Sequence, residues 1–447
     1  MTPWTARTGA TREARLAFPG LALVSILVVA AVLRVAALAW VGHSAGLHGD
    51  ENYFMRAARS LAAENRYPDS MRPPGFPFFA SLVFRLAGPS LDAVRVAQIV
   101  VSLIAIVLLF DLVRRRFGWR AASISALLTA VHPTLISYTH FLWSETLVAT
   151  LLLAMLWSLD HVDVERGELW TASAGAALGA TILTREMFLY AVPLVAWWVW
   201  SVPSHTARAR AGRVAVLVLV VTAFIVPWSA RNYARQGRFV LIATMRWLPI
   251  AEGNLLPQNG WFFYSNNEIA SRYFTIGDEL EREEVARRAA MEAIRAQQPA
   301  WIFRKIVRNT YRLFSPKWTQ LSRFAYSGWF PPDVLPLAER LSALEFWFYA
   351  VHMVICLTAI WIVPGGRLKW MVGAIILFSV SVYIFANANH RFRVPLLPLF
   401  SMYVGPLLMG ATSRNRRRLR VAGAATSVLL FLLIAATSVF IDPTTPN

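Results

Sequence analysis

The sequence predicts an all-α protein that crosses a membrane many times, and three observations lead to this prediction. Of the 447 residues, 57% are hydrophobic and only 15% are charged, which is more apolar than soluble domains usually are. The mean hydropathy is positive, at +0.48. Eleven stretches are apolar over about the length that a helix needs to cross the hydrocarbon layer, roughly 20 residues. We therefore expect a bundle of about eleven transmembrane helices.

The predicted spans follow one another along most of the chain. The first is too long for the apolar core of a cleaved signal peptide, so we expect it to be retained. The fifth and sixth are separated only by Thr184, Arg185 and Glu186, which predicts a tight helical hairpin or one short helix. The stretches lie near residues 18–41, 91–113, 121–139, 144–160, 169–184, 186–202, 212–229, 344–363, 369–386, 392–411 and 420–441.

Basic residues between these stretches predict their orientation, because cytoplasmic loops carry an excess of Lys and Arg. If eleven spans alternate, five basic groups fall on one side, which places the N-terminus in the cytoplasm. Segments 42–90, 140–145, 184–186, 230–343 and 387–393 then share the outer side. The basic groups are Arg7/Arg12/Arg15, Arg114/Arg115/Arg116/Arg120, Arg208/Arg210/Arg213, Arg367/Lys369 and Arg414/Arg416/Arg417/Arg418/Arg420.

The net charge of +19 arises from 44 Lys and Arg against 25 Asp and Glu. Because much of this charge lies in short runs between apolar segments, it suits anionic lipid headgroups better than a nucleic acid. We expect membrane lipids as partners and no nucleic acid. The single cysteine, Cys356, excludes an intrachain disulfide.

Three parts are expected along the chain. Residues 1–229 form an N-terminal transmembrane module with a first outer loop at 42–90, and residues 344–447 form the C-terminal transmembrane helices. Residues 230–343 form a modest outer region with amphipathic helices. Within it, 278–298 is expected to form a helix that ends before Pro299. The next segment, 301–314, alternates apolar and basic residues, which suits either a headgroup layer or the surface of the protein itself.

Two adjacent acids, Asp50 and Glu51, follow the first span where hydrocarbon meets water. A carboxylate there can take the proton of an acceptor hydroxyl or bind a metal, and partial burial would raise its pKa toward the range of a general base. The residues leave a second interpretation open, a solvated helix start that favours acidic side chains. His48 and Asp50 can together hold a divalent ion, although HxD alone is a weak signal. No zinc-type Cys/His spacing, HExxH, P-loop or Rossmann glycine pattern occurs, so no cofactor is assigned.

Further polar residues fall on the same predicted side. Glu145 opens the fourth span, so a shared acidic site with Asp50 and Glu51 is possible. Arg185 and Glu186 lie between two apolar segments and need partners or a cavity, or else they form a local ion pair. The run RPPGFP beginning at Arg72 resists helix formation and can shape a cavity wall. Four cations can meet a phosphate at headgroup level or anchor the spans: Arg231, His390, Arg391 and Arg393.

These segments together resemble a known family. The acidic pair with Tyr53, then RPPGFPFFASLVFRLAG, the stretch RVAQIVVSLIAIVLLFDLVRRRFGWRAASISALLTAVHPTLISYTHFLWSETL, and LTRE, PWSARNY and HRFRVPLLPLF follow in order. This series resembles the bacterial membrane glycosyltransferases of the GT-C architecture. They include protein O-mannosyltransferase-like enzymes and the aminoarabinose transferases of lipid A. The resemblance covers most of residues 18–411 and is strongest over 48–146.

The resemblance implies an inverting glycosyltransferase on the outer face of the bacterial cytoplasmic membrane, moving a sugar from a polyprenyl-phosphate donor. It implies Asp50 as general base with Glu51 positioning substrate. Without a large inserted outer domain or a long C-terminal soluble domain, the acceptor stays open between lipid, glycan and protein. The remaining residues divide between substrate binding (Tyr53, Arg72, Glu145, Arg185 and Glu186) and binding of the donor phosphate (Arg231, His390, Arg391 and Arg393).

A transporter or flippase for lipid-linked sugars is the alternative function. Charges at the middle of the membrane and interrupted helices in two matching halves would favour it. Here the notable charges lie at the outer ends of spans, except Arg34, and no twofold internal pattern is visible. The sequence therefore favours the enzyme.

Overall fold

The fold is a helical bundle, seen in a computed structural model that describes residues 12–41, 47, 49–162, 166–203, 206–255, 273–316, 335–412 and 417–440. These residues form α-helices and short 3₁₀ helices and contain no strand, so the all-α prediction is confirmed. His48, the possible partner of Asp50 in a metal site, lies outside the described residues.

The helices are numbered in chain order. They are α1 Arg12–Val41, α2 Asp50–Glu64, α3 Gly75–Ala87, α4 Leu91–Phe117, α5 Trp119–Val131, α6 Pro133–Ser137, α7 Glu145–Asp160, α8 Gly167–Thr184, α9 Val192–Ser201, α10 Ala207–Gln236, α11 Trp247–Leu255, α12 Glu279–Ala296, α13 Trp301–Phe314, α14 Leu335–Ile362, α15 Arg367–Phe385, α16 Leu397–Ser401, α17 Val404–Leu408 and α18 Arg417–Phe440. Two 3₁₀ helices, Glu186–Ala191 and His390–Leu396, precede α9 and α16.

Six helices in the described residues are long and apolar enough to cross a membrane, by length and composition: α1, α4, α10, α14, α15 and α18. The other five predicted spans are shorter, broken or, as in α8, less apolar. The second half of the tight hairpin, for example, is a 3₁₀ helix followed by the 10-residue α9. Prolines cause several of these breaks, because each removes a backbone donor, as Pro133 does at the start of α6 and Pro395 inside the second 3₁₀ helix. The count of eleven spans stays a prediction.

Glycines let neighbouring helices approach closely. A Cβ built on Gly179 of α8 would lie 2.8 Å from the ring of Phe224 on α10, and one on Gly405 of α17 would overlap the carbonyl oxygen of Ala121 on α5. Small residues at helix interfaces are a common means of packing in membrane proteins, where apolar surface alone does not drive association. Larger side chains at these two positions would separate the helices.

The two ends of the bundle carry different charged groups. At one end Arg115 and Arg116 both pair with Asp160 at the end of α7, and Arg367 donates to the backbone oxygen of Trp198. At the other end lie the first turns of α2 and α7 and the last turns of α8 and α15. The predicted outer segments therefore gather at one end. Which compartment that end faces stays a prediction.

The outer region docks on the first outer loop through buried acids. Glu279, at the start of α12, accepts hydrogen bonds from the backbone of Ser70 (3.1 Å) and the hydroxyl of Thr244 (3.0 Å). Asp278 caps this helix by accepting from the backbone of Leu280 and Glu281, and the helix ends at Ala296, before Pro299 as predicted. The contacts hold α11 and α12 over the loop that carries Arg72. The division of the chain into three parts stays a prediction, and α10 runs past its boundary at residue 229 to Gln236.

Candidate active site

Asp50 is the first residue of α2, yet its side chain does not cap that helix, because Gly49 occupies the cap position and no side-chain cap bond forms. Its two carboxylate oxygens instead face two arginines. Oδ1 lies 2.7 Å from Arg72, and Oδ2 lies 2.8 Å from Arg391. The Asp50 side chain is 22% exposed, so it remains accessible from outside the protein. Asp50 and Glu51 do lie in the first turn of α2, but the carboxylate of Asp50 is paired with arginines rather than only solvated.

Arg391 joins this acid to a second one. Its Nη2 contacts Asp50, while its Nε lies 3.1 Å from Oε1 of Glu145. The guanidinium also lies over the ring of Trp143, 4.6 Å from its centre. The 3₁₀ helix that carries Arg391 is fixed at its start by Asn389, whose side chain accepts from the backbone N–H of Arg391. One side chain thus links elements from distant parts of the sequence.

Glu145 is the first residue of α7 and is fully buried. Its Oε1 also pairs with Arg185, which follows α8 and donates to the hydroxyl of Tyr383 over 2.7 Å. Arg185 therefore does not form the local ion pair with Glu186 that the sequence allowed. Glu186 instead lies 3.5 Å from Arg246. Oε2 of Glu145 is buried without a hydrogen-bond partner among the described residues, although such atoms are usually satisfied.

The proline-rich turn brings Arg72 into this group. Gly75 is required there, because a Cβ would overlap Oγ1 of Thr184 and would lie 2.8 Å from the backbone oxygen of Leu183. The turn therefore packs directly against the end of α8, next to Arg185. The guanidinium of Arg72 lies over the ring of Tyr53 at 5.3 Å, and the Tyr53 hydroxyl donates to Asp69.

Within the described residues, three arginines and two carboxylates form this connected set, which we call the arginine–acid cluster: Asp50, Arg72, Glu145, Arg185 and Arg391. It carries one more positive than negative charge when both acids are ionised. Burial alone would raise the pKa of Asp50, but Arg72 and Arg391 hold that pKa well below its usual range. Burial alone would lower the pKa of Arg391. The negative charges of Glu145 and Asp50 outweigh this effect, so the pKa of Arg391 lies above its usual value.

Glu252 on α11 is a site residue that the sequence interpretation missed. Asn387 donates to its Oε2 over 3.0 Å, and the charges of Arg72, Asp50 and Arg391 act on it. Burial raises the pKa of Glu252 to about 7, with the negative charge of Asp50 adding to the effect. The signal in the sequence was a single acid within the apolar segment WLPIAEGNL. Tyr383 and Trp143 were also missed, because apolar spans and turns contain many aromatic residues that only pack.

Several predicted site residues lie outside the cluster. Glu51 is buried and accepts a hydrogen bond from the backbone of Leu142 over 2.8 Å, which holds the turn before Glu145. Arg231 donates to the backbone oxygens of Tyr67 (2.6 Å) and Asp69 (2.8 Å). Because these hydrogen bonds go to the backbone of the first outer loop, Arg231 stabilises the loop that carries Arg72.

Arg393 and His390 are buried beside the cluster. Arg393 donates to the backbone oxygens of Leu313 (3.1 Å) and Ser315 (2.8 Å), and its guanidinium lies 3.8 Å from the ring centre of Tyr349. His390 is 3% exposed. Of the four cations expected to bind a phosphate, only Arg391 joins the arginine–acid cluster.

The described residues do not provide an obvious metal centre. In that part of the chain, no three His, Cys, Asp or Glu side chains are grouped so that they could hold a metal ion. The carboxylates of Asp50 and Glu145 face guanidinium groups, which occupy the positions that a cation would take.

The helical bundle has a fold of the GT-C type, which a solved oligosaccharyltransferase structure shares. Within this class, residues 71–230, about a third of the chain, match the family model described as dolichyl-phosphate-mannose-protein mannosyltransferase. The matched segment contains Arg72, Glu145 and Arg185 but neither Asp50 nor Arg391. No curated protein matches the chain.

Several solved structures are similar to this chain at low sequence identity. The oligosaccharyltransferase of Archaeoglobus fulgidus, in complex with Zn and sulfate, is 15% identical with a TM-score of 0.50, over 92% of this chain and 53% of that one. Archaeal AglB from the same organism, with an inhibitory peptide and a dolichol-phosphate, is 15% identical with a TM-score of 0.48, over 93% and 56%. ArnT from Cupriavidus metallidurans, bound to undecaprenyl phosphate, is 17% identical with a TM-score of 0.41, over 88% and 79%. The chain spans about half the length of the archaeal enzyme.

Proposed function

We propose that this protein is an inverting glycosyltransferase that moves a sugar from a polyprenyl-phosphate donor to a lipid, glycan or protein acceptor. The reaction takes place at the outer face of the cytoplasmic membrane. The observation that carries the proposal is the arginine–acid cluster, in which Arg391 contacts both Asp50 and Glu145. The match to a dolichyl-phosphate-mannose-dependent family over residues 71–230 supports a lipid-linked donor.

The excess positive charge of the cluster suits the leaving group. As the bond between the sugar and the donor phosphate breaks, the bonding electrons and a negative charge pass to the phosphate oxygen. Arginines fixed where that charge grows stabilise the transition state more than the ground state. Arg391 presents a planar fork for such contact, and Arg185 and Arg72 lie on either side of the same acids.

The acceptor side requires a base. The acceptor oxygen attacks the anomeric carbon from the face opposite the departing phosphate, which inverts the configuration, and its proton must leave. Asp50 is ionised at neutral pH because its two arginines favour the carboxylate, so it can orient the acceptor hydroxyl; the same arginines make it a weak base, which passes the proton on rather than keeping it. Glu252, with a pKa of about 7, is a stronger base and receives the proton from Asp50.

The test compares Asp50→Asn with Glu64→Gln in purified protein, reconstituted in vesicles with a polyprenyl-phosphate sugar and candidate acceptors. Glu64 is an exposed acid at the other end of the same helix and serves as the matched control. We expect Asp50→Asn to fold and insert normally but to lose at least about 100-fold in transfer rate, the usual contribution of a positioned base. Transfer at the wild-type rate in Asp50→Asn would overturn the proposal. Movement of the labelled lipid across the bilayer without any transfer would establish the transporter instead.

A further inference from the structure

Helix α13 presents its polar side to the protein and its apolar side to the surroundings. Lys305 and Asn309 are only 4% and 1% exposed. On the opposite side Phe303 and Val307 are 73% and 55% exposed, and Ile302 and Ile306 are exposed as well. A helix on the surface of a soluble protein has the reverse arrangement.

No described residue covers this apolar face, and its composition suits a hydrocarbon environment. The ring of Trp301 lies 6.0 Å from that of Phe385, the last residue of the candidate span α15, so the exposed apolar surface continues from α13 onto a membrane-crossing helix. Of the two positions that the sequence allowed for this segment, the structure favours the membrane interface.

Two of the buried polar side chains on α13 have clear structural partners. Lys305 donates to the backbone oxygens of Gly253 (2.7 Å) and Ala386 (3.0 Å), and Asn309 donates to that of Ile384. These oxygens include those left unpaired at the end of α15, where a helix has no intrahelical donors. The burial of Lys305 and Asn309 is therefore explained by these hydrogen bonds to backbone oxygens.

Arg308 has no such partner. Its Nε and Nη2 atoms are buried without a hydrogen bond in the part of the chain that the structure describes. Its own helix adds further positive charge: burial lowers the pKa of the Lys305 amine, and the charges of Arg308 and Arg312 lower it further. Arg308 is half-buried, and its buried N–H groups are costly because no anion among the described residues offsets their desolvation.

We propose that Arg308 binds the phosphate of an anionic phospholipid in the outer leaflet, at a site separate from the donor site. A guanidinium offers parallel N–H groups to phosphate oxygens, and anionic headgroups are attracted to basic residues at the bilayer surface. The acyl chains of the same lipid lie against Phe303 and Val307 on the exposed face. The bound lipid therefore supplies the missing negative charge and fixes α13, which in turn holds Lys305 against Gly253 and Ala386.

The experiment measures phosphatidylglycerol bound to the purified full-length protein by native mass spectrometry, during titration with that lipid. Arg308→Gln removes the unpartnered charge, and Arg304→Gln removes an exposed charge from the same helix as the matched control. We expect affinity for one phosphatidylglycerol to fall about tenfold in Arg308→Gln and to stay unchanged in Arg304→Gln, the size of effect that a charge-assisted hydrogen bond produces. Phosphatidylethanolamine should bind equally to all three proteins.

A second measurement covers the case in which Arg308→Gln folds poorly. Added phosphatidylglycerol should raise the Tm of the wild type and of Arg304→Gln but leave that of Arg308→Gln unchanged, because only a binding-competent protein is stabilised by its ligand. Equal phosphatidylglycerol binding by all three proteins would overturn the proposal. Displacement of the bound phosphatidylglycerol by undecaprenyl phosphate would also overturn it, since the site would then belong to the donor.

Discussion

Among single residues, Arg391 makes the most demanding contacts, because its one guanidinium serves acids on two different helices. Nη2 and Nε reach Asp50 and Glu145 at 2.8 and 3.1 Å, and the aromatic faces of Trp143 and Phe392 confine the group. A lysine at this position would keep the charge but lose the forked geometry. Substitution of Arg391 by lysine therefore tests whether the site needs only a positive charge or also the forked shape of the guanidinium.

We expect Arg391→Ala to weaken binding of the polyprenyl-phosphate donor more than binding of the acceptor, and Arg391→Lys to lower transfer by about 10- to 100-fold through the loss of a charge-assisted contact. Steady-state kinetics with each substrate varied in turn provides the measurement. Equal losses for donor and acceptor in Arg391→Ala would contradict a role in phosphate binding.

Glu252 predicts a pH dependence. Its pKa of about 7 means that the carboxylate becomes ionised as the pH rises through neutrality, so transfer should increase over the same range if the ionised form receives the proton. Glu252→Gln should lower the rate at pH 8 and remove this rise from the pH–rate profile. Asp50 cannot cause this rise, because its pKa is held below the usual range and it is already ionised near pH 7.

The pH–rate profile of the control Glu64→Gln should match that of the wild type, because Glu64 is exposed and far along α2 from the cluster. A rise near pH 7 that persists in Glu252→Gln would show that another group is titrating. The assignment of Glu252 as the final proton acceptor would then be wrong.

Among the elements, α11 depends on one glycine for its position. A Cβ on Gly253 would overlap the backbone oxygen of Ala386 and would lie 3.1 Å from Nζ of Lys305. The absence of a side chain allows α11 to pack on the end of α15, where Glu252 meets Asn387. The missing side chain of Gly253 thus allows both the packing of α11 and the position of Glu252 beside Asn387.

Gly253→Ala should displace α11 from this contact, lowering transfer while leaving the membrane bundle inserted. The expected sign is faster cleavage of the outer region in limited proteolysis, because local undocking exposes backbone. Gly212→Ala in α10 is the control, since a Cβ at that position would have nothing within 4 Å. Proteolysis and transfer at wild-type levels in Gly253→Ala would show that α11 tolerates the added methyl group.

Sequence patterns predicted the fold class and the segments that meet, because hydropathy and basic loops reflect the bilayer directly. They also predicted the helix that begins beside Asp278. They did not predict the breaks at Pro133 and Pro395, since an average over an apolar window does not register one missing donor. The sequence patterns also did not predict that Arg231 donates to backbone oxygens whereas Arg391 pairs with carboxylates. These partners depend on contacts between distant segments.

For the whole molecule, the arrangement of basic clusters at one end and the arginine–acid cluster at the other leads to a prediction of topology. With Cys356→Ser as background, a cysteine at Glu64 should react with a membrane-impermeant maleimide added to intact cells. A cysteine at Arg120 should react only after the membrane is permeabilised. Both positions are exposed in the structure. The opposite labelling pattern would reverse the orientation and place the cluster in the cytoplasm.

The contacts of Arg391 also bear on how the protein is made. Synthesis and insertion proceed from the N-terminus, so Asp50 and Glu145 enter the membrane long before the segment that carries Arg391 has left the ribosome. Until then Asp50 has only Arg72 and Glu145 only Arg185 among the cluster's cations. A nascent chain therefore lacks the residue that joins the two acids, and the arginine–acid cluster is complete only after Arg391 has been synthesised and inserted.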